Sequence, residues 1–404
     1  MREEMEACPA ARRGCDGTRR GMTSRHLPTA AGGCWSRFTG GFTRRFPLAA
    51  ILVLAVITPA VAADPWKSIT VAGSPNLLGD EIQFLTPARD GKSLFVGTLQ
   101  GVASLRGESL EKVLDAVGDP KSPQPPKAWS VTERADGTLW IGHERGVTRL
   151  KGAERKDFLP KLQVTPVIEV RPGVLWALGK QAGSPDSGVY SLEGEEWKRV
   201  PGSEMFQIDD ITLAADGRVW AIIDGNGVLE IDLETGFAKA THHLQGITVT
   251  TIQDLPAADG QARRIWAGTW TRGVAVWDGQ AWANHLETVK ESSVLQIARD
   301  TAGNTWVGTS ASGVFHAAAD LANWSQELAD EGSINLLFAD ASGAVWVSGQ
   351  QTGGLRRRAA GTWTVSLDSP LPIQSLVETA DGRLVAGGVL DGLHILAAPP
   401  KGTP

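Results

Sequence analysis

The stretch DGTLWIGHERGVTRL, residues 136–150, contains the pattern that decides the fold. Its Asp-Gly pair supplies a tight turn, because glycine reaches positive φ without a clash and aspartate bonds its own backbone. An apolar run anchored by Trp140 follows with strand-type composition, and Gly146-Val147 opens another strand. The same order returns in DGRVWAIIDGNGVLEI at 216–231 and GNTWVGTSASGVFHA at 303–317. Further Asp-Gly turns stand at Asp90-Gly91, Asp259-Gly260 and Asp381-Gly382. Across the chain the anchors are Phe95, Trp140, Trp176, Trp220, Trp266, Trp306, Trp346 and Leu384, spaced by 45, 36, 44, 46, 40, 40 and 38 residues. A four-stranded propeller blade takes roughly 40–50 residues, so the period predicts an all-β, eight-bladed β-propeller, with seven blades as the alternative.

Each unit buries its face only when a neighbour covers it, so the anchors are expected to pack between blades. Later in the unit comes an outer strand led by an aromatic, as in EEWKRV, QAWANH, ANWSQE and GTWTVS. The last unit runs through Leu384 to Ile395 and then breaks off in AAPPKGTP. The missing outer strand stands at the other end of the chain, where Trp66 in DPWKSITV matches GTWTVS. Residues near Trp66 are therefore expected to complete the last blade, which removes the open sheet edge. The third unit is irregular: its turn is Arg171-Pro172-Gly173, and 12 residues separate Trp176 from Gly188, which a loop insertion accounts for.

Residues 1–63 are set apart from the propeller at 64–404. Arg44 and Arg45 precede an apolar run from Leu48 to Ile57 and then small residues, which reads as a signal peptide cleaved after Ala62 or Ala63. The alternative is an uncleaved anchor, although the run is shorter than the roughly 20 residues of a spanning helix. A periplasmic or secreted location follows. Cys8, Cys15 and Cys34 are all the cysteines and lie before the cleavage site, so no disulfide or Cys-ligated metal is expected afterwards. Residues 1–63 hold nine Arg and four acidic residues, which leaves 30 basic against 41 acidic side chains, a balance of −11. Such a surface argues against nucleic acid as a partner.

The units TLWIGHERGV, RIWAGTWTRGV, NTWVGTSASGV and AVWVSGQQTGGL resemble the two-component regulator propeller repeat of periplasmic sensor regions. The resemblance covers nearly the whole chain after residue 63 and implies a sensor-type propeller. Known members continue into a transmembrane helix and a kinase. This sequence has no such continuation, so a separate membrane sensor kinase is the expected partner of a signalling role.

Catalytic signatures are sparse. Gly91-Lys92-Ser93 ends like a phosphate loop, but Thr86 stands where that motif needs glycine. Asp224-Gly225-Asn226-Gly227 lacks the later acid of a calcium loop, and His242-His243 falls in an expected loop. No cofactor or metal is expected. Propellers bind where the second-to-third-strand loops gather with the starts of the inner strands. The loops offer His143, Glu144, Arg145, Trp270, Arg272, Gln350 and Gln351. The inner strands offer Asp209, Asp210, Gln296, Asn335 and Gln374, all of which could equally line a wet channel. Trp270 beside Arg272 could stack on a planar or sugar ligand.

Three readings follow. The first is a non-enzymatic module binding a small molecule, glycan or envelope protein. The second is an enzyme resembling the propeller lyases, with His143 as base and Glu144 as its orienting carboxylate, although neighbours on a strand point to opposite faces. The third is an envelope scaffold for protein assembly.

Overall fold

The computed structural model describes residues 65–115, 127–255, 263–287, 289 and 292–397, all within the unit Ala60–Pro404. These residues form eight four-stranded antiparallel sheets, and the seven-blade alternative is set aside. The signal segment, the three cysteines and the Asp259-Gly260 turn lie outside the described residues.

The first blade shows the plan. Strands β2 (Ile82–Pro87), β3 (Ser93–Thr98), β4 (Gly101–Arg106) and β5 (Ser109–Leu114) run from inner to outer edge in chain order. Inner strands of the following blades are Ala128–Glu133, Gln163–Arg171, Ile208–Leu213, Val249–Leu255, Val294–Arg299, Ile334–Ala339 and Ile373–Glu378. All eight inner strands carry a bulge near their start, as between Ile82 and Phe84. The extra residue resets the alternation, so Ile82 and Leu85 both reach the interblade core while Gln83 and Phe84 are only partly covered.

The bulge explains the glycine in the Trp-x-Gly part of the repeat. A Cβ on Gly308 would lie 2.7 Å from Ile334 Cγ2, at the start of the next inner strand. Gly268 meets Val294 at 2.6 Å in the same way, and Gly142 meets the Val164 carbonyl oxygen at 2.6 Å. Glycine lets the blades close to core packing distance.

The closing blade joins β30 (Ile373–Glu378), β31 (Leu384–Gly388) and β32 (Leu393–Leu396) to β1 (Trp66–Ile69). The register runs from Trp66 opposite Leu396 to Ile69 opposite Leu393. Where this blade meets the first, the interblade glycine recurs: a Cβ on Gly387 would lie 2.5 Å from Ile82 Cγ2. The chain's two ends thus complete a single sheet, as the match of Trp66 to the outer-strand aromatics predicts.

Four of the six anchor tryptophans share one geometry. Trp140, Trp220, Trp306 and Trp346 are buried, and each meets edge-on the outer-strand tryptophan of the next blade. Those partners are Trp197 at 5.5 Å, Trp282 at 5.9 Å, Trp363 at 6.2 Å and Trp66 at 5.9 Å between ring centroids. Turn aspartates hold two anchors in place: Trp306 Nε1 donates to Asp300 and Trp346 Nε1 to Asp340, at 2.9 and 2.8 Å. Blade four has no outer tryptophan. There the sequence expectation of a loop is corrected, because Thr241–His243 is the outer strand. His243 covers Trp220 at 5.4 Å and bonds Glu230 at 2.9 Å, so burial of an apolar face overrides the polar composition.

At the opposite end of the inner strands, acids staple neighbouring blades. Glu133 accepts the Arg89 backbone N–H, Asp254 that of Ala215 and Glu378 that of Ala341, at 2.6 to 2.7 Å.

Candidate functional site

One backbone bond repeated from blade to blade builds the loop face. The residue opening the second-to-third-strand loop donates its N–H to the residue just before its own inner strand. The pairs are Glu144 to Lys127, Asp224 to Gln207, Trp270 to Thr248, Ser310 to Ser293 and Gln350 to Ser333, at 2.8 to 3.1 Å. Loops and inner-strand starts therefore share one face, and most residues singled out from the sequence stand on it.

His143 is the exception. It ends a strand, Leu139–His143, instead of belonging to the loop, and is 2% exposed. Its Nδ1 accepts the Arg145 backbone N–H at 3.1 Å, and its Nε2 lies 3.0 Å from Thr148 Oγ1. The Thr148 hydroxyl donates to Asp157 at 2.6 Å, so it must accept from His143 Nε2–H. This fixes a neutral imidazole. Burial lowers its pKa to about 4, and the nearby Asp157 carboxylate offsets only part of that effect. Glu144 is exposed and is not joined to His143, so the base-and-carboxylate pairing is not formed.

Blades two to four carry a groove made of two adjoining clefts. A cleft of about 400 Å³ is lined by Glu144, Arg145, Lys161, Gln163, Lys180, Gln181 and Ala182. A second, of about 530 Å³, shares the last four of these and runs on past Leu178, Pro185, Met205 and Phe206 to Asp209. Its wall is the blade-three insertion at residues 181–187, whose extra length is visible in the sequence but whose role as a wall is not. Several bonds brace that loop. Ser187 Oγ accepts the Gln181 N–H at 2.9 Å, Ser184 Oγ accepts the Asp186 N–H at 3.1 Å, and Arg199 and Tyr190 reach the carbonyls of Pro185 and Asp186.

Asp209 and Asp210 start the fourth inner strand. Both reach solvent but are enclosed by protein on their other sides, and that enclosure pushes both carboxyls up. Lys180 opposes the shift in each, bonding the Asp209 carbonyl through Nζ and standing 3.9 Å from its carboxylate.

Across the same face, Gln296, Asn335 and Gln374 come together with Leu295, Ile334 and Val389 around a cleft of about 460 Å³. Gln350 and Gln351 are exposed in the blade-seven loop, where Gln351 packs over Gly332. Trp270 is 59% exposed. Arg272 lines a cleft with Thr271, Asn284 and Glu287, two residues along the same loop from Trp270.

Sequence patterning did not reveal a further feature of this face. Among the described residues the exposed large apolar side chains are Met205 at 68%, Leu390 at 61%, Trp270 at 59% and Val365 at 49%. Met205 lies in the connection from blade three to blade four, and Trp270 and Leu390 lie in second-to-third-strand loops. Three of the four thus stand on the loop face.

The architecture is that of a β-propeller. No family model and no curated protein matches the chain. Solved structures similar in fold include Sqt1 of Saccharomyces cerevisiae, at 11% identity over 83% of this chain and 99% of that one, with a TM-score of 0.59. Streptogramin B lyase is similar at 12% identity over 83% and 98% of the two chains, with a TM-score of 0.50. The extracellular domain of the putative hybrid two component system BT3049 from B. thetaiotaomicron is also among them, at 16% identity over 85% and 47%, with a TM-score of 0.44. At these identities the likeness extends to the propeller fold alone.

Proposed function

We propose that this protein is a recognition propeller that works outside the cytoplasm and binds a polypeptide partner on its loop face. That three of the four exposed large apolar side chains among the described residues, Met205, Trp270 and Leu390, stand on that face is the observation behind this reading. Exposed apolar side chains set among polar residues can act as separate anchors for a polypeptide laid across the face. Gln296, Asn335 and Gln374 add carboxamides, which can donate to and accept from a peptide backbone. The sensor-type repeats fit a role in which the bound partner is presented to a separate membrane sensor.

The test is panning of the immobilised full chain against a displayed peptide library, with a glycan array in parallel. Enriched peptides that lose binding to the Met205→Ser, Trp270→Ser, Leu390→Ser variant support the reading. Binding of glycans alone, or peptide binding indifferent to the triple substitution, contradicts it.

A further inference from the structure

The groove over blades two to four is most basic where it leaves blade two. Where it crosses from blade two to blade three, Arg145 and Lys161 line it with a single acid, Glu144, while Lys180 beyond them is engaged with Asp209. This stands out on a chain of net charge −6. Its middle is apolar, with Leu178, Met205 and Phe206. Its far end carries Glu204, which stands 3.9 Å from Arg199, and Asp209, which Lys180 meets at 3.9 Å.

A fitting occupant is an elongated molecule with an anion at one end, an apolar group beside it and hydrogen-bond donors beyond. A free polypeptide C-terminus has this order: carboxylate, last side chain, then backbone N–H groups leading away. A nucleotide or polyphosphate fits poorly, because its charge would extend onto Glu144 and Glu204. The braced loop 181–187 means that little ordering has to accompany binding.

We propose that this groove captures the C-terminal end of an extended polypeptide, its carboxylate at Arg145 and Lys161 and its last apolar side chain against Met205 and Phe206. This rests on the polypeptide-binding reading above and adds which part of the partner is held. Lys161 is exposed and its side chain can be changed without disturbing the core.

The experiment measures fluorescence anisotropy of the full chain with three labelled peptide pools. One pool ends in leucine with a free carboxyl, one has the same sequences amidated, and one is amidated with an internal glutamate. The free-acid pool should bind roughly tenfold more tightly than the amide, about 1.4 kcal/mol, which is the scale of two exposed ion pairs. Lys161→Glu should erase that preference while leaving the melting temperature in place, and added salt should reduce it. Equal binding of the free-acid and amidated pools overturns the chain-end inference but leaves the polypeptide reading standing. An internal-glutamate pool that matches the free acid assigns the anion to a side chain and overturns it as well. Failure of all three pools counts against both readings.

Discussion

Replacing His143 by glutamine removes a titrating group whose energetic effect is set by the structure. The ordinary imidazole titrates at 6.5, whereas burial holds His143 at about 4 in the folded chain. The unfolded chain therefore binds a proton that the folded chain refuses, and stability falls as pH drops from 6.5 toward 4. At about 1.36 kcal/mol per pK unit, this one group costs about 2 kcal/mol by about pH 5 and about 3 kcal/mol by about pH 4. Near pH 7 the variant should be the less stable protein, by about 1–2 kcal/mol, because Thr148 and the Arg145 N–H lose their partner. On acidification the gap should close and then reverse, since glutamine has nothing to protonate. Urea melts of both proteins at intervals from neutral pH downward measure the gap, and carboxylates common to both cancel. A gap that stays constant across that range would show that His143 is not held neutral, and the bonding deduced around it would be wrong.

Two further outcomes follow from the closing blade. Trp66→Ala should cost about 2 kcal/mol, less than the 3–5 of a fully buried aromatic because Trp66 is half-buried, and chemical denaturation should place it close to Trp363→Ala. A Trp66 cost near zero beside a normal Trp363 cost refutes the equivalence of β1 with the other outer strands. Gly387→Ala places a methyl 2.5 Å from Ile82 and should destabilise by about 1–3 kcal/mol, matching Gly308→Ala, which meets Ile334 at 2.7 Å. A neutral Gly387→Ala beside a costly Gly308→Ala would mean that the last and first blades are not in core contact.

The fold was legible because each blade repeats a local code that neighbouring blades must read in the same way. Trp140, Trp306 and Trp346 announce the core, and Trp66 could be placed in the last blade because only outer strands carry an aromatic in that context. The bulges were not legible, since an extra residue leaves no compositional mark. The strand glycines such as Gly308 were visible, but their cause emerges only when the next blade's Ile334 is seen against them. For the site, polar residues at inner-strand starts could be placed by counting from the turns, and Gln296, Asn335 and Gln374 line one cleft. His143 misled because one residue separates the end of a strand from its loop, and sequence spacing does not resolve that difference. The groove could not be read at all. It depends on how the blade-three insertion and Met205 from the following connection stand beside each other, and no periodic pattern governs either.

The most direct test of the closed ring is a cross-link between the chain's distant ends. Ser68 and His394 are cross-strand partners with side chains on one face, Oγ and Nδ1 being 2.8 Å apart. With Cys8, Cys15 and Cys34 replaced by serine, Ser68→Cys and His394→Cys should form an intramolecular disulfide under mild oxidation, seen by peptide mass spectrometry and a non-reducing gel shift. Two thiols that stay free, or that pair only between molecules, would contradict the sheet shared by β1 and β32 and the single loop face that depends on it.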